Sequence, residues 1–103
     1  MRFAFATNRI RRLYDSDEGA HRYPVGVAKA FFGAIQWIKG SADETELYGL
    51  KGLHCEKLKG GRNEHSIRLN DQWRLTFTIE KDDEGKYILV LDIVDYHKRK
   101  RNA

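Results

Sequence analysis

The sequence predicts an α+β domain in which two N-terminal helices pack on a small, mainly antiparallel sheet. Three observations carry this. Apolar residues recur at helical spacing only in the first 40 or so positions. A period of two takes over after an acidic SADETE stretch. The chain, at 103 residues, is too short for two ordinary cores. The composition agrees: 41% hydrophobic residues and a single Pro exclude a linker or a disordered polymer.

The elements follow in order. Arg-Phe-Ala-Phe-Ala at residues 2–6 alternates as a short strand does, and Thr7 then caps a short, polar helix through about Tyr14. Turn formers fill DSDEGAHRYP, and Pro24 stands where a second helix can open, because the N–H it lacks would be unpaired there. That helix runs to about Lys39, with Val27, Ala28, Phe31, Ala34, Ile35 and Ile38 as its core stripe and Gly40 as its stop. Phe31, Phe32 and Trp37, at helical spacing, are expected in the core. SADETE reads as a connector.

Beyond it, Ser66, Arg68 and Asn70 alternate with Ile67 and Leu69. After a tight Asn-Asp turn, Trp73, Leu75, Phe77 and Ile79 share one face while Arg74, Thr76 and Thr78 share the other. A second turn at Asp82-Asp83-Glu84-Gly85 leads into YILVLDIVDY, whose nearly continuous apolar run predicts a central strand covered on both faces.

Charge and cysteine usage bound the function. The net charge of +4 resides in Lys98, Arg99, Lys100 and Arg101; without them the chain carries 15 basic and 15 acidic residues. Residues 98–103 are therefore expected to form a basic tail on a single domain spanning 1–97, either solvated or placed on phosphates. No apolar run is long enough for a membrane span, and MRFAFATNRIRR turns basic too early for a secretory leader. The lone Cys55 has no second Cys for a disulfide or a zinc ribbon, so a reducing cytoplasm is the expected compartment. His21, His54 and His65 lack metal-ligand spacing, and no metal or cofactor is expected.

Three pieces carry candidate chemistry. Lys59 with Gly60-Gly61 and Arg62 forms a turn that lets the backbone approach a ligand, although Lys-Gly-Gly is commonest as a plain surface turn. Strand parity puts Arg68 and Arg74 on one polar face, where guanidinium groups suit phosphate; the alternative is surface arginines paired with Asp71 or Glu80. Asp95-Tyr96-His97 closes the last strand with proton donors. RNA cleavage by its own 2′-OH needs a base, an acid for the 5′ oxygen and cations for the phosphorane, and these residue types supply all three.

The run LKGGRNEHSIRLNDQWRLTFTIE followed by IVDYH resembles the HigB-type killer toxins of bacterial toxin–antitoxin pairs, in the RelE/ParE superfamily. The resemblance covers about Leu58 to His97. It implies a small domain with two N-terminal helices on a twisted antiparallel sheet. It also implies metal-independent, ribosome-dependent cleavage of mRNA, and silencing by a HigA-type helix-turn-helix antitoxin through which operator DNA is met indirectly. Some members of the superfamily instead inhibit DNA gyrase without cutting, which is the alternative function. A third is an RNA-binding protein that never cleaves.

Carried over by the resemblance, the catalytic positions are Lys59, Arg68, Arg74, Tyr96 and His97, with Asp95 as hydrogen-bonding support. RNA contacts, including those to ribosomal RNA, fall on Lys57, Arg62, His65, Lys98 and Arg99. His65 stands where the family often has an aromatic, and either stacks on a base or fills space. Gly61 replaces the Asp of LKGDR. Some relatives have a His three residues before the motif lysine; Glu56 stands there, with His54 two positions earlier, and a carboxylate needs desolvation to act as such a base.

Overall fold

Thr7 caps α1 (Asn8–Ser16) as the sequence predicts, its hydroxyl oxygen accepting from the Ile10 N–H. The protein is seen in a computed structural model that describes residues 1–60 and 63–96; Arg62, His97, Lys98 and Arg99 lie outside them, as does the rest of the tail. Before α1 comes the strand β1 (Phe3–Phe5), and after it a 3₁₀ turn at Ala20–Arg22 leads to α2 (Val27–Gly40). The second helix begins three residues after Pro24, behind a left-handed Gly26. It ends where extended Ser41 leaves the helix and its hydroxyl donates to the Trp37 carbonyl. No left-handed glycine is needed there.

The SADETE stretch is a helix start. Asp43 accepts from the Glu46 N–H at 2.9 Å, and the Glu46 carboxylate accepts from the Ala42 N–H at 3.2 Å, opening α3 (Glu44–Gly49) with a reciprocal cap. Its acidic first turn also suits the positive end of the helix dipole. The connector expectation is corrected accordingly.

The remaining strands are β2 (Glu56–Lys57), β3 (Glu64–Arg68), β4 (Trp73–Asp82) and β5 (Gly85–Asp95). They form a five-stranded sheet in the order β1-β5-β4-β3-β2, antiparallel except that β1 runs parallel to β5. Thus β5 is an interior strand, paired with β1 on one side and β4 on the other, and β4 takes the middle position. The β5 strand buries only Ile88, Val90 and Ile93, and the broken spacing has a cause: Phe77 pairs with Val90 but Thr76 with Asp92, a bulge that shifts the parity at Leu91. Among the described residues only one face of this strand is covered by helices; its other side chains in this stretch are half-buried.

One face of the sheet receives the helices. Ile10 and Leu13 of α1, Phe31, Ile35 and Ile38 of α2 and Leu47 of α3 meet Ile67, Leu75, Phe77 and the three β5 residues in one apolar cluster. Each such side chain contributes about 1.5–3 kcal/mol on burial. Of the aromatic set expected in the core only Phe31 enters it: Phe32 and Trp37 are 48% and 55% exposed. Phe32 stacks on Tyr14, whose hydroxyl accepts from Gln36. The opposite face of the sheet, which receives none of α1, α2 and α3, carries the polar residues.

Candidate active site

Strand register assembles the site. Arg68 lies opposite Arg74, Ser66 opposite Thr76, and Glu56 opposite Ser66, so these side chains share the face away from the helices. The hairpin that sets this register is wider than the expected tight turn. Asn70 Oδ1 accepts from the N–H groups of Gln72 and Trp73, closing a loop over Leu69–Gln72 that is an Asx turn.

Arg74 is the centre, and it is not the surface arginine that parity suggests: only 7% of it is exposed. Its Nε donates to Ser66 Oγ at 2.7 Å and its Nη2 to the His54 carbonyl. Its guanidinium carbon lies 5.1 Å from the centroid of the Tyr96 ring, within cation–π range. Tyr96 in turn donates its hydroxyl proton to Glu56 Oε1 at 2.8 Å. That bond, followed by burial and the Glu56 charge, holds the phenol above the ordinary tyrosine range against the opposing pull of Arg74. At neutral pH Tyr96 is therefore a proton donor. Glu56, whose place the sequence left open, is drawn into the cluster, whereas the exposed ring of His54 contributes nothing but its backbone oxygen.

The carbonyl of His54 is aimed by an unusual backbone. His54 ends the 3₁₀ turn Lys51–Leu53 at φ +45°, ψ +49°, a left-handed conformation that a non-glycine residue keeps only when its surroundings enforce it. Cys55 follows, half-buried, its thiol pushed up to about 11 chiefly by burial, so it stays protonated and unreactive.

The other sequence candidates divide. Arg68 faces solvent over the same sheet face, paired with Asp71 as the alternative reading has it. Asp95 supports the site from the side: it accepts from Gln72 Nε2 at 2.8 Å, while the Tyr96 N–H donates to the Gln72 carbonyl, which ties the end of β5 to the hairpin loop. Lys59 is exposed just past β2, beyond the bond from the Leu58 N–H to the Glu64 carbonyl. Lys57 pairs with His65 in register and so stands on the other side of the sheet from Glu56. His65 is 8% exposed, stacks on Phe77 and has both ring nitrogens engaged, Nδ1 with the Tyr48 hydroxyl at 2.6 Å and Nε2 with Asn63 Oδ1 at 3.3 Å. Its ring lies on the helix side of the sheet, away from Arg68 and Arg74.

Ser66 and the His54 carbonyl are the members that the sequence did not single out. Ser66 was findable: once Arg68 pairs with Arg74, Ser66 is the diagonal neighbour within reach of a long side chain. The carbonyl was not, because it depends on chain 20 residues away. Among the described residues, no three His, Cys, Asp or Glu side chains gather to hold a metal.

The fold is that of the RelE-like toxins. The chain superposes on a YoeB/ParE toxin from Agrobacterium tumefaciens with a TM-score of 0.61 at 19% identity, over 92% of this chain and 98% of that one. It superposes on a chain of the archaeal RelE-RelB complex from Pyrococcus horikoshii OT3 with a TM-score of 0.56 at 16% identity, over 91% and 92%. No curated protein matches the sequence. The profile of RelE-like toxins of the type II toxin-antitoxin system HigB matches residues 3–97, and the chain belongs to that HigB-like toxin family. It is a toxin of a type II toxin–antitoxin pair, with an antitoxin as its partner. No helix among the described residues is long and apolar enough to cross a membrane.

Proposed function

We propose that the protein is an endoribonuclease that cuts mRNA on the ribosome and thereby stops translation. The observation that carries this reading is the Glu56–Tyr96–Arg74 cluster: a carboxylate, a protonated phenol and a fixed cation in contact on one sheet face. Strand cleavage by the 2′-OH needs its proton removed, the P–O5′ bond broken and a proton delivered to O5′, leaving a 2′,3′-cyclic phosphate and a 5′-hydroxyl. Glu56 and His97 are the groups for removing the proton, and Tyr96 and His97 for delivering one. Arg68 and Lys59, both open to solvent, take the phosphate oxygens, while Arg74 supports the developing charge from beneath the Tyr96 ring. No step calls on a metal.

So sparse a site has little with which to hold an RNA strand, and the ribosome supplies the alignment. Contacts to RNA outside the cluster fall to Lys57, Arg62, Lys98 and Arg99, with residues 98–103 acting as a basic tail on the 1–97 domain. The partner that silences the toxin is a helix-turn-helix antitoxin of the HigA type, and the setting is the cytoplasm.

The test is induced expression in bacteria of the wild type, Arg68→Ala and His97→Gln, with mapping of new mRNA 5′ ends and a parallel assay of DNA damage. Cuts inside translated frames that disappear in both variants are expected. Growth arrest with intact mRNA and broken DNA would overturn the reading in favour of gyrase inhibition.

A further inference from the structure

The helical side of the molecule carries a second cationic feature that the sheet-face chemistry leaves unused. A cavity of about 460 Å³ opens between α1 and the Ala20–Arg22 turn. Arg9, Arg12 and Leu13 reach it from α1 at i, i+3 and i+4, the spacing that gathers side chains on one side of a helix. Glu18, His21, Arg22 and Tyr23 close it from the turn, which folds back at Gly19 with φ +88°.

The three arginines differ in how far they are committed. Arg9 is engaged, with Asp92 at 2.8 Å and the Tyr23 hydroxyl at 3.0 Å. Among the described residues Arg12 has only Glu18 at 3.7 Å, an exposed pair that water and salt weaken. The Arg22 guanidinium has no hydrogen-bond or ion-pair partner among the described residues, so two planar forks are available to an incoming anion. Tyr23 is held edge-on against Trp73 at 5.7 Å, which fixes an aromatic wall beside them. Trp73 precedes Arg74 in β4, and successive strand residues point to opposite faces, so this cavity is separate from the candidate active site.

We infer that the cavity is a phosphate site of nucleotide size, with Arg12 and Arg22 as the forks that grip the phosphate. A bare phosphate would leave most of the volume empty, whereas pockets for small molecules run from about 300 to 1,000 Å³. Leu13 and Tyr23 offer the apolar and aromatic surface that a base or ribose needs. The ligand is a nucleoside phosphate, either free or as one unit of an RNA strand. The inference is independent of the cleavage chemistry.

Its test is an NMR titration of the ¹⁵N-labelled full chain with inorganic phosphate, with 5′-AMP and with a 12-nucleotide single-stranded RNA, following the amides of Gly19 to Tyr23. The wild type should show saturable shifts there with AMP or RNA. The Arg12→Ala/Arg22→Ala variant, altered only at exposed side chains, should bind at least about tenfold more weakly, and Lys81→Ala, which removes an exposed cation of β4, should respond as the wild type does. Saturation by AMP marks a free nucleotide as the ligand, and a response to RNA alone marks a strand. Unmoved amides with both probes, or equal affinity in the double variant, would overturn the site. Phosphate alone binding as tightly as AMP would overturn its nucleotide character.

Discussion

A guanidinium buried under an aromatic ring must find acceptors for its N–H groups, and among the described residues Arg74 has two: Ser66 Oγ and the His54 carbonyl. Ser66 is itself fully buried, so its hydroxyl has no water to exchange with. Replacing it with Ala leaves the Arg74 Nε proton without a partner in a dry place, a loss of about 1–3 kcal/mol. Arg68 differs: its side chain is 38% exposed and its pair with Asp71 faces solvent, so Arg68→Ala should change stability by less than about 1 kcal/mol. Urea unfolding of both variants separates the two arginines' roles. If Ser66→Ala proves as stable as the wild type, Arg74 does not depend on its bond to Ser66. The shared face of Arg68 and Arg74 was legible from strand parity alone. The burial of Arg74 was not, because its cover, Tyr96, follows β5 and one of its acceptors, the His54 carbonyl, lies before β2, and no local pattern links either to β4.

Among the elements, α2 was the easiest to read and α3 the hardest, for the same reason. A helix of 14 residues with five buried positions repeats its period several times, whereas the six-residue α3 buries only Leu47 and has no period to show. Its signal lay in the cap, Asp43 followed three residues later by Glu46, inside a run whose acidity resembles a linker. The cap has a consequence for the sheet, since α3 carries Tyr48 to His65 and Glu44 to Lys86 at 2.7 Å. Asp43→Ala should cost about 1 kcal/mol, which for a chain of this size lowers the melting temperature by roughly 4–8 °C. Asp43→Asn keeps a side-chain oxygen at the cap and should lose little. Thermal melts of the pair decide the matter: equal losses would mean that the carboxylate charge, not the cap, holds α3.

For the molecule as a whole, His65 joins the layers: it takes the Tyr48 hydroxyl from α3, sits on β3 and stacks on Phe77 of β4. The neutral ring suits this place. Nδ1 accepts from Tyr48 while Nε2–H donates to Asn63, an arrangement inferred from the network, and a second ring proton would leave Nδ1 facing a donor. Burial lowers the His65 pKa from 6.5, Lys57 across the strand lowers it further, and Glu44 opposes them. The unfolded chain then binds the proton more readily than the folded one, so stability rises with pH through this window and is lost as pH falls from about 6.5 through the depressed folded value. The carboxylates of Glu44 and Asp82, held low chiefly by Lys86 and Arg2, add losses of the same sign only at more acidic pH. Wild-type protein should therefore melt at a lower temperature at pH 5.5 than at pH 7.5. His65→Gln, though less stable at pH 7.5, should lose less over that interval, because no imidazole remains to be charged. Melting curves at half-unit pH steps for both proteins make the comparison, and an identical slope in the variant would assign the acid sensitivity to other groups.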